Sequence, residues 1–414
     1  MGRYQSPVTS SPSNPSSAPG RVRVQLVQPV IPRYRVALYT ALSRAPGICL
    51  RVKSSARVSG NPPSVGDSLQ GADASFPCRE LLGGRLFWQE GLQLDRDLEQ
   101  GDVVILDGNP RFASNWPLML AARRRRIGVV WWGHGWSATS QPLRAGLRRR
   151  LMSLCDVLLL YTDAERDEYL RMGFAADRVF AANNALDQAA IRMAAAAWPE
   201  PRLAEFRHAE GLEGRRLLLF CGRLRTDPPT ELDVALQALR RLRAGDDSYL
   251  LAVIGDGEDA ARLRGLSDAL ELGRAVRWLG SVYDETAVAP WFMSAECFVY
   301  PGPIGLSLLQ AFGYGLPVLT HDRRREHNPE IAALEDWRNG GLFPRGDAAA
   351  LARCIRRIGT ESGLREALGA EARRTVEQRY TTELMVERFL AAVRTASERV
   401  SRPSRAVVGA RAGA

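Results

Sequence analysis

One lysine, Lys53, stands among the 56 basic residues of this 414-residue chain, so arginine supplies nearly all of its positive charge. Any anion site must therefore use arginine, backbone amides or helix ends. No apolar run approaches the roughly 18 residues that would cross a bilayer. The N-terminal residues 1–20 are rich in serine and proline and lack the apolar core of a secretory signal, so they read as a disordered tail. The six cysteines form no CxxC pair, and several lie in apolar runs such as LLLFCG, as expected of reduced, buried thiols in a cytoplasmic protein. None of the four histidines lies in a ligand cluster, and no metal or other cofactor is expected.

The composition that is present is globular: 45% hydrophobic and 25% charged, with a net charge of +10. That charge carries no helix-turn-helix and no basic module interleaved with aromatics, so a nucleic-acid partner is not expected. From Arg21 onward short apolar runs alternate with amphipathic stretches. The first series is VRVQLV (22–27), DVVIL (102–106), IGVVWW (127–132), DVLLLY (156–161) and RVFAA (178–182). The second is RLLLFCG (216–222), YLLAVIG (249–255), AVRWLG (275–280), CFVY (297–300) and PVLT (317–320). Strands alternating with helices predict parallel sheets wound on both faces. The expected class is α/β: two doubly wound, Rossmann-like domains facing across a cleft, with ligands at the carboxyl ends of the strands. The expected boundaries are 21–190 for the first domain, 191–213 for a linker and 214–378 for the second domain. A terminal helix follows over 379–400, then a disordered tail over 401–414.

Four segments carry chemistry. In CFVYPGPIGLSLLQAFGYGLPVLTHD (297–322) a strand ends at Tyr300 and a helix starts near Gly305, which aims the amides of Ile304, Gly305 and Leu306 at an anion such as a diphosphate. Any strand–loop–helix corner shares that local pattern. In LLLFCGRLRTDPP (217–229) Arg223 projects from a strand end where its planar fork suits phosphate oxygens, and Arg225 lies on the same loop. A solvated surface charge is the alternative. In VVWWGHGWS (129–137) a strand delivers His134 between two glycines, where it can meet a sugar hydroxyl, handle a proton or simply pack. The fourth, VIGDGEDA (253–260), has the Gly-x-Gly of a dinucleotide fingerprint but no acidic residue at the end of the next strand.

Two further patterns invite a function. In PLRAGLRRRLMSL (142–154) Leu143, Leu147, Leu151 and Leu154 form one helical stripe among Arg144, Arg148, Arg149 and Arg150. This is either a packed helix with a solvated face or a basic face for an anionic membrane. Asp95-Arg96-Asp97 imitates a metal-binding DxD but lies in a charged run that reads as a solvated turn.

Taken in order, QPVIPRYRVALYTAL (28–42), WWGHGWS (131–137), NNALD (183–187), CGRL (221–224), VIGDGED (253–259), WLGSVYDE (278–285), GPIGLSLLQAFGYGLPVLTHD (302–322) and NPE (328–330) resemble a retaining glycosyltransferase of the GT-B fold, family 4 type. The resemblance covers most of residues 21–400. It implies a nucleotide-sugar donor in the C-terminal domain and a glycan or lipid-linked acceptor in the N-terminal one. By position, Arg223 would neutralise the leaving diphosphate, amides near Gly305 would hold donor oxygens, and Gln310 would face the ribose. His134 would contact the transferring sugar, Glu330 falls at the place of a frequent glutamate, and Pro32, Arg33, Tyr34 and Arg35 would line the acceptor side. The terminal helix resembles one that crosses back to the first domain.

Two departures stand out. The family's paired glutamates appear as Gly302 and Gln310, and its usual lysine five positions after Arg223 appears as Pro228. No carboxylate nucleophile is evident, so retention implies same-face attack. The resemblance most often implies bacterial surface-polysaccharide assembly at the inner membrane face. A non-catalytic nucleotide-sugar-binding protein and a nucleotide-sugar epimerase on the same fold remain as alternatives.

Overall fold

The computed structural model describes residues 20–61, 63–135 and 142–402, without the side chains of 67, 142–145 and 147. Most of both terminal tails, and Trp136 and Ser137 of the glycine–histidine segment, lie outside the described residues.

The strands are β1 (Val22–Val27), β2 (Ile48–Ser55), β3 (Ala72–Phe76), β4 (Cys78–Leu81), β5 (Leu86–Gln89), β6 (Val103–Asp107), β7 (Gly128–Gly133), β8 (Val157–Leu160) and β9 (Val179–Ala181), then β10 (Arg216–Cys221), β11 (Tyr249–Ile254), β12 (Val276–Gly280), β13 (Cys297–Tyr300), β14 (Val318–His321) and β15 (Gly340–Phe343). The helices are α1 (Val36–Arg44), α2 (Asn115–Arg124), α3 (Pro142–Ser153), α4 (Asp163–Arg171), α5 (Gln188–Ala196), α6 (Glu200–Ala209) and α7 (Leu232–Arg243), then α8 (Ala260–Ala269), α9 (Glu285–Ser294), α10 (Ser307–Gly313), α11 (Ala348–Thr360), α12 (Leu364–Arg379) and α13 (Thr382–Ser401).

The first sheet has the order β3-β2-β1-β6-β7-β8-β9 and the second β12-β11-β10-β13-β14-β15. The pairings described within both are parallel, for example β1 with β2 and β6, and β10 with β11 and β13. Parallel strands covered on both faces must be apolar throughout, and the run YLLAVI is buried at every position. In each sheet the chain starts centrally, builds one flank and then returns to build the other. The order therefore reverses between β1 and β6 and between β10 and β13, where open α/β sheets place their ligands.

By contacts the chain divides into two compact units. One holds residues up to Asp107, Arg111–Val130 and the chain from Val393; the other holds Gly108–Pro110 and Trp131–Ala392. The core of the second unit surrounds the second sheet. Amphipathic α7 contributes Leu232, Leu236, Leu239 and Leu242, all buried, each worth about 1.5–3 kcal/mol on removal from water. Helix starts follow local chemistry: Asp187, Asp284 and Asp347 cap α5, α9 and α11 through their carboxylates. Segment 191–213, expected to be a linker, is largely helical as parts of α5 and α6. No helix among the described residues is long and apolar enough to cross a membrane.

The stripe expected on α3 lies partly outside the described residues; Leu151 is half-buried. Leu143, Arg144 and Leu147 have side chains outside the described set; of the rest, Met152 and Cys155 are buried while Leu154 is exposed. Arg149 and Arg150 face solvent, and half-buried Arg148 has its pKa held down by burial, beside Tyr169 and Glu165.

Candidate functional site

At the end of β10 the chain leaves the sheet through Gly222-Arg223-Leu224. The Gly222 N–H donates to the Ile254 carbonyl at 2.9 Å and the Leu224 N–H to that of Asp256 at 3.0 Å. A Cβ at Gly255 would lie 1.9 Å from the Gly222 oxygen, and one at Gly257 would lie 2.1 Å from the Leu224 oxygen. The glycines of VIGDGED are thus required because two strand-end backbones lie in contact, which accounts for the motif without a dinucleotide.

That contact fixes the backbone from which Arg223 projects. Its side chain is 64% exposed, with Nη2 3.3 Å from Glu258 Oε2. The Glu258 carboxyl is held below its ordinary range by its own backbone N–H first, then by the Thr226 amide and Arg223. Arg225 turns inward against the Tyr300 hydroxyl. Its Nε is buried with no hydrogen-bond partner among the described residues. Thr230 closes this loop: its Oγ1 accepts from the Arg225 N–H at 2.8 Å and donates to the Arg223 carbonyl at 3.0 Å.

The closed loop meets Gly302. It carries Pro228 and Pro229, and its backbone rests on Gly302, where a Cβ would lie 2.5 Å from the Thr230 oxygen and 2.8 Å from that of Pro229. The Pro228–Thr230 loop and Gly302 are thus two ends of one contact, and the loop fills the space a side chain at 302 would need.

The corner before α10 departs from expectation. The helix begins at Ser307, with Leu306 as its N-cap, and the Ile304 amide is not open to a ligand: its N–H donates to His327 Nδ1 at 3.1 Å. With Nδ1 accepting, His327 carries its proton on Nε2 and donates to the His321 carbonyl at 2.9 Å. The two imidazoles stack with centroids 3.8 Å apart. Burial pushes His321 down to about 3 and His327 down to about 4, so both are neutral. Beside them Gly305 packs on Asn328, whose Nδ2 would lie 3.1 Å from a Cβ at 305.

Gln310, half-buried on α10, donates through Nε2 to both oxygens of Glu285 at 3.0 Å. The Tyr314 hydroxyl donates to the same carboxylate at 2.7 Å, and burial together with Glu285 pushes that hydroxyl far above its ordinary pKa. Glu330 is buried and accepts from Asn184 Nδ2, which ties the segment after β9 to the turn Pro329–Ala333.

His134 follows β7 with its side chain 45% exposed and its Nδ1 3.5 Å from Glu165 Oε1. Glu165 is buried and accepts from the backbone N–H groups of Gly135, Tyr161 and Thr162 at 3.0–3.2 Å. The Tyr161 ring lies edge-on to the imidazole at 4.6 Å. Both flanking glycines answer to packing: a Cβ at Gly133 would lie 2.6 Å from the Gly108 Cα, and one at Gly135 2.6 Å from the Tyr169 ring. The signal for Glu165 was present as the capping box Thr162-x-x-Glu165. Glu285 was visible only as the last residue of WLGSVYDE, with nothing local to link it to Gln310.

In the first unit Pro32 precedes a short 3-10 turn, Arg33–Arg35. Arg33 and Tyr34 are exposed, whereas Arg35 is buried with its guanidinium 5.2 Å from the Tyr34 ring, so Arg35 is not the open acceptor-side charge expected. Arg96 and Asp97 form an exposed turn, as expected, and Asp95 and Asp97 are ion-paired. Arg51 reaches Asp95 at 3.2 Å and Asp97 at 2.8 Å, and Lys53 reaches Asp95 at 2.5 Å.

Two doubly wound parallel sheets, each with its reversal of strand order, make this a GT-B fold of two Rossmann-like domains. Residues 204–375 match the family model of glycosyl transferases group 1. The chain is 33% identical over 164 residues to a phosphatidyl-myo-inositol mannosyltransferase of Mycobacterium leprae, covering 38% of this chain and 41% of that one. It is 28% identical over 208 residues to an exopolysaccharide phosphotransferase of Streptomyces coelicolor, covering 49% and 21%. The matches thus span less than half the length of either relative. Among solved structures, the Anabaena protein HepE in complex with UDP superposes with a TM-score of 0.66 at 14% identity, covering 89% of this chain and 98% of that one. Sucrose-phosphate synthase from Thermosynechococcus elongatus superposes with a TM-score of 0.64 at 16% identity, covering 92% and 100%.

Proposed function

We propose that the protein is a glycosyltransferase that moves a sugar from a nucleotide-sugar donor to a glycan or lipid-linked acceptor, with retention at the anomeric carbon and no metal cofactor. The carrying observation is Arg223, an exposed guanidinium on a locked backbone at the strand-order reversal of the sheet, within the stretch that matches glycosyl transferases group 1. Cleaving the anomeric C–O bond leaves negative charge on the departing diphosphate. A fixed guanidinium stabilises that charge more in the transition state than in the ground state. Gly305 and Leu306, with Arg225, complete the donor phosphate side. Gln310, its amide nitrogen held by Glu285, turns its oxygen to a ribose hydroxyl. His134 contacts the transferring sugar through Nε2, and Pro32, Arg33 and Tyr34 belong to the acceptor side.

In the proposed step the acceptor oxygen bonds to the anomeric carbon on the face the diphosphate leaves, and the acceptor proton passes to a leaving phosphate oxygen. Ile304 acts through His327 rather than on the donor, and Glu330 acts through Asn184. The setting is polysaccharide or glycolipid assembly at the cytoplasmic membrane face.

The test is nucleotide release from a panel of UDP-, GDP-, dTDP- and ADP-sugars in the presence of EDTA. One donor should release nucleotide, and Arg223→Ala should slow it about 100-fold or more. Release that needs a divalent ion would remove the metal-free mechanism, and an inverted product by NMR would remove retention. Donor binding with no turnover, even with lipid extract added, would make the protein a binding module.

A further inference from the structure

Two loops of the second unit frame the corner between β13 and α10, and one side chain bonds both. Arg345 follows β15, in the turn before α11. Its Nε donates to Glu231 Oε1 at 2.8 Å, joined there by Nη2, and its Nη1 donates to Glu326 Oε2. Its backbone N–H donates to Asp322 Oδ1 at 3.3 Å. All three side chains of this bridge are largely withdrawn from water, Glu231 most of all at 13% exposure.

Glu231 ends the loop that carries Arg223 and Arg225. It follows Thr230, whose hydroxyl ties the backbones of both arginines and whose carbonyl rests on Gly302. Glu231 also holds φ at 54°, a left-handed conformation that a residue with a Cβ takes only where its surroundings enforce it. Glu326 closes the 3-10 turn Arg324–Glu326, directly before His327 and Asn328. Those two residues hold Ile304 at both backbone groups: His327 Nδ1 accepts its N–H at 3.1 Å, and the Asn328 N–H donates to its carbonyl at 3.0 Å.

Ion pairs sheltered from water add little stability, because desolvation offsets the attraction. An arginine between two carboxylates, at the strand ends where open α/β sheets bind ligands, therefore has its main effect on geometry. It sets the distance between loop 225–231 and segment 322–328, and so between Arg223 and the Gly305–Leu306 amides. On the donor-site reading given above, we propose that Arg345 is a positioning residue: without touching the donor, it fixes the spacing at which Arg223 and those amides receive one diphosphate. A diphosphate reaches both groups at once and a monophosphate does not, so the second phosphate reports the spacing.

The full chain would be titrated by calorimetry with UDP, GDP, dTDP and ADP and with the matching monophosphates. One diphosphate should bind more tightly than its monophosphate. Arg345→Ala should lower that preference about tenfold, with monophosphate affinity near the parent value. Glu231→Gln should lower it about threefold, and the double variant should do no more than Arg345→Ala, because both changes break one bridge. Circular dichroism checks folding, and Glu326→Gln, the mildest change, should lower the preference even where Arg345→Ala fails to fold. An unchanged preference in folded variants would overturn the inference. So would equal weakening of both ligands, the mark of a general loosening, or losses that add in the double variant. If the parent binds no nucleoside diphosphate, the donor reading falls and the inference with it. Binding that Arg223→Ala weakens and Arg345→Ala does not would remove the inference alone.

Discussion

Gly302 shows why a motif departure need not be a defect. Read along the chain, the resemblance leads one to expect a glutamate there; in space glycine is the only residue type that lets the Pro229 and Thr230 carbonyls rest on the strand end. Gly302→Glu, made alone to place the glutamate that the resemblance leads one to expect, should therefore destabilise the protein by ~1–3 kcal/mol through overpacking and should not raise nucleotide release. A urea-unfolding midpoint equal to that of the parent would show the loop moves aside freely. His134 makes the complementary point. Its glycines suggested ligand access, yet they are set by Gly108 and Tyr169, while the residue that orients the ring, Glu165, came from a helix cap 31 positions later in the chain.

At the scale of elements, α9 and α10 are joined by one carboxylate. Glu285 opens α9 and receives both Gln310 and Tyr314 of the α10 corner, so its removal strands one half-buried and one buried donor. Glu285→Ala should cost ~1–3 kcal/mol in unfolding free energy, and Tyr314→Phe, which deletes a single bond, should cost less. If Gln310 meets the donor, Glu285→Ala should also raise the donor KM several-fold with kcat little changed, whereas Tyr314→Phe should leave KM near the parent value. Strands were readable where both faces are buried, as in β10, β11 and β13. β2 was not, because Arg51 and Lys53 alternate with its apolar residues to meet Asp95 and Asp97. β15 was not, because Gly340 and Gly341 are there to fit against Val318 and Leu319 of β14, a contact no local pattern reveals.

For the whole molecule, the stacked His321 and His327 couple folding to pH. Both are neutral in the folded state down to about pH 3 and 4, whereas an unfolded histidine takes up a proton near 6.5. Above 6.5 neither state binds the proton. Below it the unfolded chain binds more, so stability falls as pH drops through the window from about 6.5 toward 4, by up to ~1.4 kcal/mol per unit for each histidine. Carboxylates held down by partners, such as Asp97 beside Arg51, lose their contribution only below about 4, outside that window. Urea midpoints measured from pH 7.5 to 5 should decline, and His321→Asn should flatten the slope. A flat parent profile would mean that the folded pair takes up protons.

The linear chain determined the alternation of apolar runs and amphipathic stretches, and with it two parallel sheets, because burial on both strand faces leaves its mark residue by residue. It also determined that an anion site must rest on arginine, backbone amides or helix ends, since one lysine cannot serve elsewhere, and Lys53 is engaged with Asp95. The tertiary structure alone decided which polar groups remain open. Ile304 gives its amide to a histidine 23 residues away, Glu330 meets an asparagine 146 residues away, and Gly255, Gly257 and Gly302 face backbones from other loops. A hydrogen bond or a steric limit depends on atoms within a few ångströms in space, and for these residues the neighbours come from distant parts of the chain.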